Sequence, residues 1–192
     1  VVYIKKALYN YKKVNDTLGI LGGYVTLGAI EIQRKNYTDA IQIQLDGLKY
    51  INENTNSARI LRRKGQLLNN IALTYTYKKE YENAYKIYIE ALELKKMLNN
   101  GFDICNTYSN LGINTRHQGK NADQKEKRNY FYNLSLDYFH KPLAKAEYIV
   151  YDMLIPDILS NLGLLYYTLK DYDLAIQTFN RAIKMQESEN PE

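Results

Sequence analysis

Apolar residues recur at offsets of three and four along almost the whole chain, and no stretch alternates apolar and polar residues between turn signals. The pattern therefore predicts helices and no strands. Within it one triplet returns three times: a small residue, a Tyr nine positions on, and an Ala three after that. It reads Gly28, Tyr37, Ala40, then Ala72, Tyr81, Ala84, then Gly163, Tyr172, Ala175. A pattern repeated at wide intervals means a stack of like units, none able to bury its apolar faces alone.

Each copy predicts a helical hairpin. The first helix carries Tyr24, Leu27 and Gly28; Leu68, Ile71, Ala72 and Tyr75; or Leu159, Leu162, Gly163 and Tyr166. These offsets set a large apolar stripe beside a small notch, where a second helix can approach closely. A polar turn follows at Lys35-Asn36, Lys79-Glu80 or Lys170-Asp171. The second helix then carries Ala40 and Leu48; Ala84, Tyr88 and Ala91; or Ala175, Phe179 and Ala182.

A further first-helix signature lies at Tyr108, Leu111 and Gly112, but Asn121 and Gln124 fall where its Tyr and Ala belong. Its second helix is expected over roughly Ala122 to Phe139, in a degenerate repeat. From His140 to Ile155, Leu143, Ala146, Tyr148, Ile149, Val150, Met153 and Leu154 lie around Pro142 and before Pro156. This stretch reads as an added helical turn or two, or as a first helix kinked at Pro156. Val1 to Val14, with Ile4, Ala7, Leu8 and Tyr11, reads as a second helix without its first, and Ser188-Glu189-Asn190-Pro191 follows with no polar capping helix. The expected organisation is one solenoid over 1–192: the second helix of a truncated repeat at 1–14, repeats at 17–52 and 57–98, the degenerate repeat at 101–140, and a repeat with a helical insertion at 143–188. Uncovered solenoid ends imply a piece of a longer protein, or a homodimer through an uncapped end.

These residues resemble the tetratricopeptide repeat family. Its pattern of Leu-Gly and Tyr in helix A, then Tyr, Ala, Phe and Ala in helix B, is matched by Leu162-Gly163, Tyr166, Tyr172, Ala175, Phe179 and Ala182. Leu68 to Leu92 follows it nearly as well, whereas Tyr24 to Leu48 departs from it at Glu31 and Gly47. The resemblance implies an all-α fold, a right-handed superhelical solenoid of antiparallel helix pairs, whose concave surface is lined by helix A residues. On that register Asn70, Asn110 and Asn161 share one place, two residues before the notch. Beside them fall Asn69, Leu73, Tyr77, Ile113, Arg116, Leu164 and Tyr167. An Asn amide both donates and accepts, so a row of them suits the backbone of an extended peptide; equally, each can cap or bridge helices within the scaffold. Arg116 is the one basic residue in this set, so the set does not reproduce the basic clamp with which chaperone-binding members of the family hold a C-terminal carboxylate.

Composition adds exclusions. The net charge of +5 is a modest surplus, and the basic clusters Arg59, Arg62, Arg63, Lys64 and Lys120, Lys125, Lys127, Arg128 read as solvated rim rather than a phosphate-binding face, so no nucleic-acid partner is expected of this region. No apolar run is long enough for a membrane, and none is expected as a partner. The single cysteine, Cys105, forbids an internal disulfide and stands twelve positions from His117, about 18 Å along one helix. With no metal-ligand spacing, phosphate loop or nucleophile motif, neither a cofactor, a metal nor an enzyme is expected. The 20 tyrosines read chiefly as packing residues with their hydroxyls at the surface.

The expected function is a non-enzymatic scaffold that binds a protein or an extended peptide, as the sensor or interaction region of a larger bacterial signalling or regulatory protein. Its long repeats and Asn-rich connections resemble in style the repeat regions of bacterial sensors. The alternative is a peptide-pheromone receptor domain of a transcriptional regulator, similar to the Rap and PlcR group. The compartment stays open between the cytoplasm and, for a membrane-anchored sensor, the periplasm.

Overall fold

The structure is a computed structural model that describes residues 1–149 and 152–189; Val150, Asn190 and Pro191 of the sequence reading lie outside them. The described residues form helices only: α1 Val2–Lys13, α2 Thr17–Gln33, α3 Tyr37–Leu48, α4 Ala58–Tyr77, α5 Tyr81–Met97, α6 Gly101–Lys120, α7 Lys125–Ile149, α8 Ile155–Thr168 and α9 Tyr172–Glu189, with a 3₁₀ turn at Asp152–Leu154 before α8. The fold is all-α, built of antiparallel helix pairs, and the helices group into two compact units, Val1–Asn99 and Asn100–Glu192.

The first unit pairs α2 with α3 and α4 with α5, and α1 packs on α2. Two α2 glycines four residues apart make that last contact possible. A Cβ at Gly19 would collide with the Tyr11 ring, and one at Gly23 would come within 2.6 Å of Leu8. Leu8 is buried there with Ile20 and Leu27. Asp16 caps α2 by accepting from the Gly19 N–H at 3.0 Å.

The notches behave as their residue sizes require, and each receives the side chain sixteen positions on. Gly28 takes Gln44, Gly163 lies against Phe179, and Ala72 has the fully buried Tyr88 at the same offset. The turns are built alike. Lys35, Lys79 and Lys170 each follow a helix C-cap in the left-handed region, at φ 64°, 63° and 66°. Around each, two backbone bonds close the helix, as in Lys35 N–H to Ile32 O at 2.9 Å and Asn36 N–H to Glu31 O at 2.9 Å. Left-handed backbone costs an L-residue about 1–2 kcal/mol, part of which glycine gives back through its freer unfolded chain. Each Lys→Gly change should therefore raise stability by about 0.5–1 kcal/mol, measured as a higher urea midpoint at constant slope.

The second unit corrects the degenerate repeat. Gly112 does have its aromatic partner, Phe139, whose ring a Cβ at Gly112 would approach to 2.7 Å. It stands 27 positions on rather than sixteen, so eleven residues are inserted between them. They lengthen the tip of the hairpin: α6 continues three residues further past its notch than α8 does, α7 begins seven residues earlier before its aromatic than α9 does, and the link is one residue longer. The helix B positions assigned to Asn121 and Gln124 belong instead to Tyr132 and Ser135, both buried, with the Ser135 hydroxyl donating to Gly112 O at 2.7 Å. The added length has its own notch, Gly119, where a Cβ would come within 2.6 Å of the Tyr132 ring. Gly112 and Gly119 are seven apart, as are Tyr132 and Phe139, so two glycine–aromatic contacts follow one another along the same helix faces. The residues after His140 extend helix B, not helix A, as α7 runs through Pro142 to Ile149. Pro156 sits in the first turn of α8, where its missing N–H costs nothing.

Candidate functional site

The sequence-derived residues fall on helix A of each pair, and each unit presents its own set. In the first unit Asn69 is tied to the scaffold: its amide oxygen accepts from the Lys95 ammonium at 3.4 Å, and Lys95 is buried against Gly65. Asn70, one residue on, is half-buried, as is Leu73. Tyr77 is 51% exposed and stacks on Tyr37, ring centroids 5.7 Å apart. This half of the set therefore offers one amide and an aromatic pair.

In the second unit the amides turn back on their own helices. Asn110 donates to the Asn106 side-chain oxygen at 3.0 Å, and Asn161 donates to the Asp157 carbonyl at 2.9 Å. Leu164 and Tyr167 are exposed, and Tyr167 meets Tyr172 edge to face at 5.7 Å. Ile113 packs against the core formed by Phe139, Leu143, Leu159 and Leu162 and is in part a structural residue.

Arg116 is the electrostatic feature of this unit. It is half-buried, and its Nε is enclosed with no acceptor among the described residues. Burial pushes its guanidinium below the ordinary arginine value. Burial also lowers the adjacent His117, with the charges of Arg116 and Lys120 acting in the same direction, so His117 favours its neutral form. A desolvated guanidinium with an unused N–H favours an incoming carboxylate or carbonyl oxygen.

Cys105 is buried in α6, its sulfur 4.0 Å from the Pro142 carbonyl oxygen. Among the described residues no group of three His, Cys, Asp or Glu is placed to hold a metal ion, and no helix is long and apolar enough to cross a membrane.

Sequence reading alone missed the grooves on the other side of the pairs, between successive helix B elements. One lies over α4 between α3 and α5, with a volume of about 650 Å³; the other lies over α8 between α7 and α9, at about 470 Å³. Their signal is present only once α7 is aligned on Phe139, because the walls come from helix B residues one repeat apart.

The tetratricopeptide repeat family profile matches residues 56–96 and 156–189, which hold α4–α5 and α8–α9. Among solved structures, the chain is similar to BtubC (BKLC) from P. vanneervenii, with a TM-score of 0.71 and 19% identity over 98% of this chain and 72% of that one. It is similar to the apo form of RapI with a TM-score of 0.71 and 14% identity, over 98% of this chain and 70% of that one. These likenesses are of fold, a helical solenoid of paired helices. No curated protein matches the sequence.

Proposed function

Because this chain is a tetratricopeptide repeat protein, we propose that it is a non-catalytic interaction scaffold whose helix A faces bind an extended peptide segment of a partner. Scaffolds of this kind stack paired helices to expose long faces rather than to enclose a reactive pocket. The observation that carries the peptide reading is the identical register of Asn70, Asn110 and Asn161 on α4, α6 and α8. An amide both donates and accepts, so at the same place on each helix it can pair with the N–H and C=O groups of an extended peptide. The Asn161 oxygen remains available to accept after its nitrogen has bonded Asp157. Leu164, Tyr167 and Tyr77 supply apolar contact beside the amides, and Arg116 takes an acceptor oxygen.

The test uses ten-residue peptides selected from a random library against the whole chain. Changing Asn70, Asn110 and Asn161 together to Ala should weaken a selected peptide by at least about tenfold, at roughly 0.5–1.5 kcal/mol for each lost hydrogen bond, with the helical circular dichroism retained. Unchanged affinity would sink the reading. Loss of the helical signal would assign the three amides to the scaffold instead.

A further inference from the structure

Helix α9 carries an apolar stripe that its own hairpin does not cover. It packs on α8 with Ala175 and Ala182 buried and Phe179 against Gly163. Tyr172, Ile176 and Ile183 are left 53%, 58% and 49% exposed. With Phe139 aligned on Phe179, the same places on α7 hold Tyr132, Leu136 and Leu143. Those three pack in one core with Ile155, Leu159 and Leu162 of α8. On α3 the same places hold Tyr37, Ile41 and Leu48, each buried or half-buried, and α4 packs on that helix. Position for position, α9 presents the surface that in α3 and α7 receives another helix.

The charges beside the stripe select a second copy of the same helix. Asp173 and Lys184 stand eleven positions apart, about three helical turns, so they lie along one edge of the stripe. Both are exposed, and neither forms an ion pair among the described residues. A second α9 is laid antiparallel by a two-fold axis that crosses the helix between Thr178 and Phe179. Asp173 of each copy then falls opposite Lys184 of the other, because the two residues stand equally far from that axis. The same operation sets Ile183 of each copy between Tyr172 and Ile176 of the other, knob into hole. Helix α1, at the other end of the chain, has four lysines and no acid, so it answers Asp173 but not Lys184.

We propose that the chain forms a two-fold dimer through antiparallel α9 helices, with an apolar seam of Tyr172, Ile176 and Ile183 and a register fixed by two Asp173–Lys184 pairs. One helix pair buries less than the roughly 1,200 Å² of total area that marks stable complexes, so the dimer is weak and dissociates at roughly 10–100 µM. The contact uses none of Asn70, Asn110 and Asn161, and the two readings stand or fall separately.

Sedimentation velocity of the whole chain from about 2 to about 500 µM should show the boundary move from monomer to dimer and no further. Asp173→Lys and Lys184→Asp should each weaken the dimer at least about tenfold, since each turns two attractive contacts repulsive. The double swap, Asp173→Lys with Lys184→Asp, should return the dimer to within about threefold of the wild type. The two single variants mixed should associate more tightly than either does alone, because each supplies the charge that the other has lost. Both positions are exposed, so all these variants are expected to keep the wild-type helical circular dichroism. A chain monomeric throughout, assembly beyond a dimer, or a double swap no tighter than the single variants would each overturn the proposal.

Discussion

Phe139→Ala is expected to destabilise the protein by about 3–5 kcal/mol, the range for truncating a buried aromatic in a core that cannot collapse around the gap. Phe139 is fully buried and fills the Gly112 notch. It also packs with Tyr132, Leu143, Leu159 and Leu162, so one truncation opens the contact within the α6–α7 pair and the contact between α7 and α8. Glycine at 112 worsens the loss, since it has no side chain to move into the space. Gln124→Ala, at the position the simple repeat spacing assigns to the helix B alanine, should change stability by less than about 0.5 kcal/mol, because Gln124 is exposed. Urea unfolding followed by circular dichroism at 222 nm measures both. A large loss at Gln124 with a small one at Phe139 would return the hairpin to its unextended register.

The contrast shows which parts of the fold are legible in one dimension. Gly28, Ala72 and Gly163 announce themselves because their Tyr and Ala partners stand at fixed short offsets across a three-residue turn. Gly112 hides because eleven residues at the hairpin tip carry its partners beyond that window, and the packing that pairs them is indifferent to sequence distance. A signal was nonetheless present in the two seven-residue intervals, Gly112 to Gly119 and Tyr132 to Phe139. The candidate site divides in the same way. Register alone gives the shared helix position of Asn70, Asn110 and Asn161. It does not give the bonds of Asn110 to Asn106 and of Asn161 to Asp157, nor that of Asn69 to the buried Lys95, because those depend on rotamers and on a neighbouring helix.

Gln44→Leu is expected to stabilise the protein by about 1–3 kcal/mol, the cost of enclosing an amide without partners. Gln44 occupies the notch position held by Tyr88, Phe139 and Phe179 in the other hairpins, and it is fully buried. Both its amide nitrogen and its amide oxygen are enclosed with no hydrogen-bond partner among the described residues. The helix ladder is not the reason for a glutamine here, since the aromatics at the same position fit the same backbone. Leu is close to Gln in volume, so the substitution removes the stranded dipole without overfilling the space against Gly28, where even a Cβ would collide with the Gln44 amide. Gln44→Glu keeps the shape and adds a charge in the same enclosure; it should cost several kcal/mol near neutral pH and less as the pH falls, because protonation removes the buried charge. Urea midpoints of the two variants at pH 7 and pH 5 decide the matter. A Leu variant less stable than the wild type, or a Glu variant as stable at pH 7 as at pH 5, would mean that the amide is satisfied and the notch is wet.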